Sequence, residues 1–188
     1  MKSPLLKLCV IAFCLLSTIS FAQNQSLTAL PSVLYLAKDK NIVETTGDSD
    51  NHKILMAAVK ATDLEDVLGQ SGPFTVFAPS DNAFAKFSEE ELQKLFLLEN
   101  RKELKSLLTY HIVAGNLSAS KILRALCSGK GKTTFRTVQG TKINASFVGT
   151  DIVLMDSFGN TAKITEADAK QSNGVIHEID SVILPSKL

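Results

Sequence analysis

The chain has 188 residues, of which 45% are hydrophobic and 21% charged, and its 20 basic and 19 acidic side chains leave a formal net charge of +1. This near-neutral balance argues against a general nucleic-acid binder, which would carry a strong basic excess. The length and the apolar content suit one domain with a hydrophobic core of its own.

The N-terminus has the three-part pattern of a secretory signal peptide. Two lysines give a positive start, residues 8–16 are apolar, and Ser20 and Ala22 are the small residues that precede a peptidase cut. A membrane-spanning helix is disfavoured, because it needs about 20 consecutive apolar residues. We therefore expect a signal peptide at residues 1–22, a leader at residues 23–38, and a secreted or periplasmic mature chain without a membrane span.

The first half of the mature chain has the apolar spacing of helices. Residues 52–68 place apolar side chains three and four apart, with an interruption at Thr62 and Asp63. An apolar run over residues 74–78 predicts a strand that ends at Pro79. Further helix starts are predicted where a hydroxyl, carboxylate or amide side chain precedes an apolar run, in two cases with a glutamate three residues later. These starts are Ser80 or Asp81, Ser88, Asn100 and Ser118.

After Cys127 the pattern changes to short β-rich runs. Residue pairs that contain glycine separate these runs, as in tight turns between antiparallel strands. Helices followed by strands predict an α+β domain. The predicted strands cover residues 135–138, 142–148, 152–156, 162–165 and 175–184.

Cys127 is the cysteine that remains once residues 1–22 are removed. An exported chain with one cysteine has no internal disulfide, so packing must supply its stability. Because Cys127 follows Leu126 at the end of the helix that begins at Ser118, we expect a buried or half-buried free thiol.

Three segments together resemble the fasciclin domain family. They are TVFAPSDNAF at residues 75–84, the Tyr110–His111 pair, and NGVIHEIDSVILP at residues 173–185. Their joint occurrence in this order carries the resemblance, which covers nearly the whole mature chain and places a fasciclin domain at residues 39–186. The resemblance implies a wedge-shaped antiparallel β-sandwich with several helices packed at one end.

The resemblance also implies a function outside the cell. Fasciclin domains work mainly in cell adhesion and extracellular recognition, usually without a cofactor, and some bind small apolar ligands such as carotenoids. The leading hypothesis is therefore a non-enzymatic module that binds an extracellular protein or polysaccharide. The alternative is a carrier that holds a small apolar ligand between helices and sheet. The sequence leaves the partner and the oligomeric state open.

The candidate binding residues are Tyr110, His111 and Asp168. The resemblance implicates the tyrosine–histidine pair in adhesion, and an aspartate followed by an isoleucine in integrin recognition. Asp168 matches that aspartate, whereas Ala169 stands where the isoleucine is expected. We expect Asp168 to lie in an exposed polar loop between two strands, at residues 166–173.

The three histidines lack the spacing of a metal site or a catalytic motif, and no pair of cysteines supports one. His52 is expected at the surface, at the start of a helix. His111 and His177 lie among apolar residues and are interpreted as buried structural residues with hydrogen-bonded rings. We expect the His111 imidazole to donate to the Asp81 carboxylate or to a carbonyl beside it. No catalytic residue, cofactor or metal ligand is assigned.

Basic residues are concentrated in the middle of the chain. Residues 104–150 contain no Asp or Glu, and seven basic side chains fall there. They could form a patch that attracts an acidic polysaccharide or a cell surface. The interpretation that the sequence alone favours is a solvated face with its counter-charges close in space. The seven residues are Lys105, Lys121, Arg124, Lys130, Lys132, Arg136 and Lys142.

Overall fold

The computed structural model describes residues 39–70 and 72–185. The predicted signal peptide and leader, at residues 1–22 and 23–38, lie outside the described residues. The helices are α1 (Ile42–Gly47), α2 (Lys53–Ala61), α3 (Glu65–Leu68), α4 (Asp81–Phe84), α5 (Glu89–Leu95), α6 (Arg101–Tyr110) and α7 (Ala119–Ser128). The strands are β1 (Phe74–Pro79), β2 (Ile112–Ala114), β3 (Lys132–Arg136), β4 (Lys142–Val148), β5 (Asp151–Met155), β6 (Thr161–Gln171) and β7 (Gly174–Ile179).

Local capping residues set where several helices begin. At α5, Ser88 Oγ accepts from the Glu91 N–H, and the Glu91 carboxylate accepts from the Ser88 N–H at 2.8 Å. The predicted cap at Asn100 is wrong, because its side-chain amide donates instead to the Lys94 carbonyl at 2.7 Å. The predicted caps at Ser80, Ser88 and Ser118 are confirmed.

The strands form a seven-stranded sheet in the order β2-β1-β7-β6-β5-β4-β3. Neighbouring strands are antiparallel except β1 and β7, which run parallel from the Phe74–Gly174 pair to the Pro79–Ile179 pair. The prediction of purely antiparallel strands is therefore wrong for the pair β1 and β7. Parallel strands need a long crossover, and here every element from α4 to β6 lies between the two strands in the chain.

The two edge strands of the sheet approach each other. Val113 of β2 forms an isolated antiparallel bridge with Thr137, and the Val138 N–H donates to the Ile112 carbonyl at 2.9 Å. The α+β class is confirmed, with one mixed sheet and several helices. The wedge-shaped sandwich remains a prediction.

Two hydrophobic cores lie on opposite faces of β1 and β7. Helices α1, α2, α5 and α6 bury their apolar side chains against Val76, Ala78 and Ile176. Phe77 and Ile179 belong to a second core with α7, β3, β4 and β5. Because successive side chains of a strand point to opposite faces, both central strands are buried on both sides, as is usual for parallel pairing.

Cys127 is exposed, so the prediction of a buried thiol is wrong. The helix α7 buries Ile122 and Leu126, which are four residues apart on one side of the helix. The residue that follows lies about 100° further around the helix axis. Cys127 therefore faces solvent although Leu126 is in the core.

Candidate functional site

Tyr110 and His111, two of the predicted binding residues, are buried at the C-terminal end of α6. Tyr110 is 1% exposed and His111 is 2% exposed. The Tyr110 hydroxyl donates to the Lys142 carbonyl of β4 at 2.9 Å. Burial raises the pKa of Tyr110 to about 12, and the Asp156 carboxylate adds to the effect. Neither side chain reaches the surface, so these residues could affect binding only by stabilising the fold. Their role in binding stays a hypothesis.

His111 joins three separate segments of the chain. Its Nδ1 lies 2.8 Å from the Leu107 carbonyl oxygen, and its Nε2 lies 3.3 Å from the Ile183 nitrogen. Since a carbonyl only accepts and a backbone N–H only donates, Nδ1 carries the proton and Nε2 accepts. The His111 carbonyl accepts from the Phe77 N–H at 2.9 Å. The neutral ring and its backbone thus connect α6 to β1 and to the segment after β7.

Burial lowers the pKa of His111 to about 4, and the hydrogen bond to the Leu107 carbonyl partly offsets this effect. The predicted hydrogen bond from His111 to Asp81 is wrong. The Asp81 carboxylate accepts from the N–H groups of Lys53 and Ile54, at 3.2 and 2.9 Å, and therefore caps the first turn of α2.

Asp168, the third predicted binding residue, lies in β6 rather than in a loop. Register shifts on either side of Glu166 bulge this strand. Asp168 has a φ of 64°, in the left-handed region that Asp tolerates better than most residues. Its Oδ1 accepts from the Ala119 N–H, in the first turn of α7, at 2.7 Å. The expectation of a free loop carboxylate is wrong, because Asp168 is half-buried and bonded to a helix start.

His177 lies beside Asp168, in the central strand β7, and is 0% exposed. Its Nδ1 accepts from the Asp168 N–H at 3.2 Å, and its Nε2–H donates to the Leu117 carbonyl at 2.7 Å. Burial lowers the pKa of this ring, so the neutral form is favoured. The predicted structural role of His177 is confirmed. With Asp168, it attaches the start of α7 to strands β6 and β7.

His52 is buried, whereas the sequence predicts it at the surface. The residue is 8% exposed, and its Nδ1 lies 2.8 Å from Ser49 Oγ. Among the described residues, its buried Nε2 has no hydrogen-bond partner. The local sequence does not indicate this burial. The first N–H groups of α2, next to His52, bond to the Asp81 carboxylate, which is distant in the chain.

A basic surface covers the outer side of the β3–β4 hairpin. Arg136 and Lys142 are direct cross-strand partners, and Lys132 is paired with Ser146 further along the hairpin. All three basic side chains are exposed. In the described part of the chain, no ion pair joins an acidic group to any of the seven basic residues within 104–150. The expectation of nearby counter-charges is therefore not supported. We define the β3–β4 outer face as Lys132, Thr134, Arg136, Lys142, Asn144 and Ser146.

The apolar cavity between helices and sheet is small. Its volume is about 20 Å³, with Leu55, Leu108 and Ile112 among its lining residues. That volume holds roughly one water molecule, whereas pockets for small-molecule ligands measure about 300–1,000 Å³. The alternative hypothesis, a carrier that holds an apolar ligand at this place, is not supported.

Residues 39–70 and 72–185 contain neither a metal-binding cluster nor a membrane-spanning helix. No three His, Cys, Asp or Glu side chains of these segments come close enough together to hold a metal ion. Nor does any helix there have the length and apolar content needed to cross a membrane.

Comparisons with known proteins agree with the fold. A model of the fasciclin domain matches residues 50–185. Protein sll1483 of Synechocystis sp. is 35% identical over 171 residues, which are 89% of this chain and 87% of that protein. Transforming growth factor-beta-induced protein ig-h3 of Sus scrofa is 30% identical over 77% of this chain, which matches 19% of that longer protein. A solved domain pair from the insect cell adhesion molecule Fasciclin I superposes with a TM-score of 0.68 at 18% identity, covering 77% of this chain and 51% of that chain. At that identity the last match shows the fold alone.

The depressed pKa of His111 predicts that acid destabilises the domain. The unfolded chain binds a proton near the ordinary histidine pKa of about 6.5, whereas the folded ring binds one only near pH 4. The contribution of His111 to stability is therefore complete above about pH 6.5 and is lost as the pH falls toward 4. The loss is at most about 3 kcal/mol, since one pKa unit corresponds to about 1.4 kcal/mol.

Denaturant unfolding of the wild type and of His111→Asn, between pH 4 and 7, measures this term. The asparagine does not titrate, so we expect the difference in stability between the two proteins to shrink as the pH falls. Parallel curves across this range would contradict the assignment of a buried neutral ring.

The cap formed by Asp168 predicts different effects for two substitutions. Asp168→Ala removes the acceptor for the Ala119 N–H, and we expect a loss of about 1 kcal/mol, as for other helix caps. Asp168→Asn keeps an acceptor and tolerates the left-handed backbone, so its thermal unfolding should stay close to that of the wild type. Equal melting temperatures for Asp168→Ala and the wild type would show that the cap contributes nothing.

Proposed function

The chain belongs to the fasciclin domain family, and on that premise we propose that it is an exported, non-enzymatic binding module that attaches to an acidic polysaccharide outside the cell. The signal-like pattern at residues 1–22 supports export. The described residues then form the domain, within the predicted limits of 39–186, that carries the binding surface.

The observation that carries the proposal is the Arg136–Lys142 pair. Two like charges directly opposite each other on a sheet disfavour the folded state, and no acidic group in the described residues pairs with either one. A bound anion would relieve this repulsion. A guanidinium group also binds a carboxylate or sulfate through two parallel hydrogen bonds, which a lysine cannot do.

The length of the β3–β4 outer face suits a polymer better than a single ion. Strands rise about 3.4 Å per residue, so Lys132 and Arg136 stand about 14 Å apart along β3. Thr134 and Asn144 lie between them, with their side chains hydrogen-bonded at 3.1 Å. An acidic polysaccharide offers negative groups at intervals and hydroxyl groups in between, which matches this order of charged and polar side chains.

A role in adhesion is consistent with the source of one structure that resembles this chain. One solved domain pair with this fold, 18% identical to the chain, comes from an insect cell adhesion molecule. In this proposal, Tyr110 and His111 support the scaffold on which the face is displayed, and Asp168 positions α7. None of the three needs to touch the polysaccharide.

Calorimetric titration with heparin, a sulfated polysaccharide, tests the proposal. We expect binding that weakens as salt is raised, because exposed charges are screened. The double variant Arg136→Gln/Lys142→Gln should bind at least about tenfold more weakly, a loss of about 1.4 kcal/mol. Neutral dextran should not bind.

A matched control is Lys60→Gln/Lys102→Gln, which removes the same charge from two exposed positions outside the β3–β4 outer face. It should keep nearly wild-type affinity. Equal weakening by both double variants would mean that heparin responds only to net charge. An absence of binding by the wild type at low salt would end the proposal.

A further inference from the structure

His52 leaves a buried polar atom without a partner. The residue is 8% exposed, and within the described part of the chain its Nε2 makes no hydrogen bond. The nearest acidic atom is Glu178 Oε2, at 3.6 Å, which is longer than the 2.7–3.2 Å of an ordinary N–H···O bond. Buried polar atoms nearly always have partners, so an orphaned one needs an explanation.

The other nitrogen of His52 has a hydroxyl partner. Nδ1 lies 2.8 Å from Ser49 Oγ, and the same hydroxyl oxygen accepts from the Asn51 N–H at 3.2 Å. A serine oxygen has two lone pairs and can accept both bonds. The same hydroxyl can also donate to Nδ1, so both neutral tautomers fit this contact. In the tautomer with the proton on Nδ1, Nε2 carries a lone pair beside the Glu178 carboxylate, and a donor bonded to both would satisfy both atoms.

His52 is one of the residues that line a cleft of about 180 Å³. Glu166 and Glu178 both line it and are direct cross-strand partners on β6 and β7. The second oxygen of Glu178 accepts from Thr165 Oγ1 at 3.0 Å, which fixes the carboxylate. No lysine or arginine is among the lining residues. Two opposed negative charges without a cation favour a positively charged occupant.

We propose that this His52–Glu178 cleft is a binding site for a primary ammonium group. The three N–H donors of the ammonium would bond to Glu178 Oε2 and to His52 Nε2, while Glu166 adds negative charge at the wall. The volume is below the range of about 300–1,000 Å³ for pockets of larger ligands, which suits one short alkylammonium chain. A metal ion fits less well, because no three metal-binding side chains converge in the described residues.

The site is separate from the β3–β4 outer face in both location and charge. It lies on β6 and β7 beside the start of α2, and it is acidic where the outer face is basic. Loss of polysaccharide binding would therefore leave the ammonium site intact, and the reverse also holds.

The test is an NMR titration of the ¹⁵N-labelled exported chain with n-butylammonium chloride, with n-butanol as the neutral control. We expect saturable shifts at the His52 ring and at the amides of Glu166 and Glu178 with the ammonium only. Glu178→Gln should weaken binding at least fivefold. Glu166→Gln, at an exposed position, should weaken it less and serves if Glu178→Gln does not fold. Glu90→Gln, an exposed glutamate on α5, should bind like the wild type.

A second arm distinguishes the source of the ammonium group. If Nα-acetyl-lysine-N-methylamide binds as well as n-butylammonium, the cleft accepts a lysine side chain of a protein. If only n-butylammonium binds, the ligand is a free amine; both outcomes support the site. The proposal is overturned if no saturable shift occurs, if n-butanol acts equally, if Glu178→Gln binds like the wild type, or if Zn²⁺ shifts the same resonances at concentrations where n-butylammonium does not.

Discussion

The parallel pairing of β1 and β7 is the constraint on which the rest of this domain depends. These strands are second and third in the order of the sheet and lie between the two hydrophobic cores, and Phe77, Ala78 and Ile179 on them are each 0% exposed. Their side chains alternate between the helical core and the core beneath α7, so each strand stabilises both halves of the molecule. The pairing also requires a close approach at one end. A Cβ at Gly174 would lie 2.0 Å from the Phe74 carbonyl oxygen, which only glycine avoids.

Two buried histidines connect irregular segments to this central pair by the same chemistry. His111 bonds a carbonyl at the end of α6 and the Ile183 N–H after β7, and His177 bonds the Leu117 carbonyl before α7 and the Asp168 N–H in β6. In each ring one nitrogen donates and the other accepts. Only the neutral form of the imidazole can do this, because both nitrogens of the charged form are donors. The tyrosine–histidine pair and His177 of the segment at residues 173–185 therefore act as supports of the fold. The two surfaces proposed to bind a partner are the β3–β4 outer face and the His52–Glu178 cleft, and neither includes Tyr110, His111 or His177.

The sequence predicts well those features that depend on neighbours in the chain. The caps at Ser80 and Ser88 require a bond to a residue three positions away, so local pattern is sufficient for them. The parallel pairing of β1 with β7 joins residues a hundred positions apart, and turn signals cannot report it. The polar stretch around Asp168 predicts a loop, yet a bulged strand can carry polar residues on its exposed side.

The candidate binding surfaces also combine features that the local sequence reveals with features that depend on distant residues. The absence of acidic residues from 104–150 is visible in the sequence, whereas the pairing of Arg136 with Lys142 depends on the register of two strands. His52 directly precedes α2, and the first N–H groups of α2 bond to Asp81, which follows β1 in the chain. A contact between such distant residues is not visible in the local pattern around His52. Cys127 shows that a shift of one position along a helix can change a buried side chain into an exposed one. Its neighbour Leu126 is fully buried, whereas Cys127 is exposed.

Native-state hydrogen exchange of the Phe77 and Ile183 amides tests most directly whether the central pair holds both cores together. These amides donate to the His111 carbonyl and to His111 Nε2. If β1, β7 and His111 form one cooperative unit, both amides should exchange only through global unfolding, with the same free energy as denaturant melting and the same dependence on denaturant. Exchange of either amide through a smaller, local opening would contradict the account, because it would show that one core can separate from the central strands while the other stays folded.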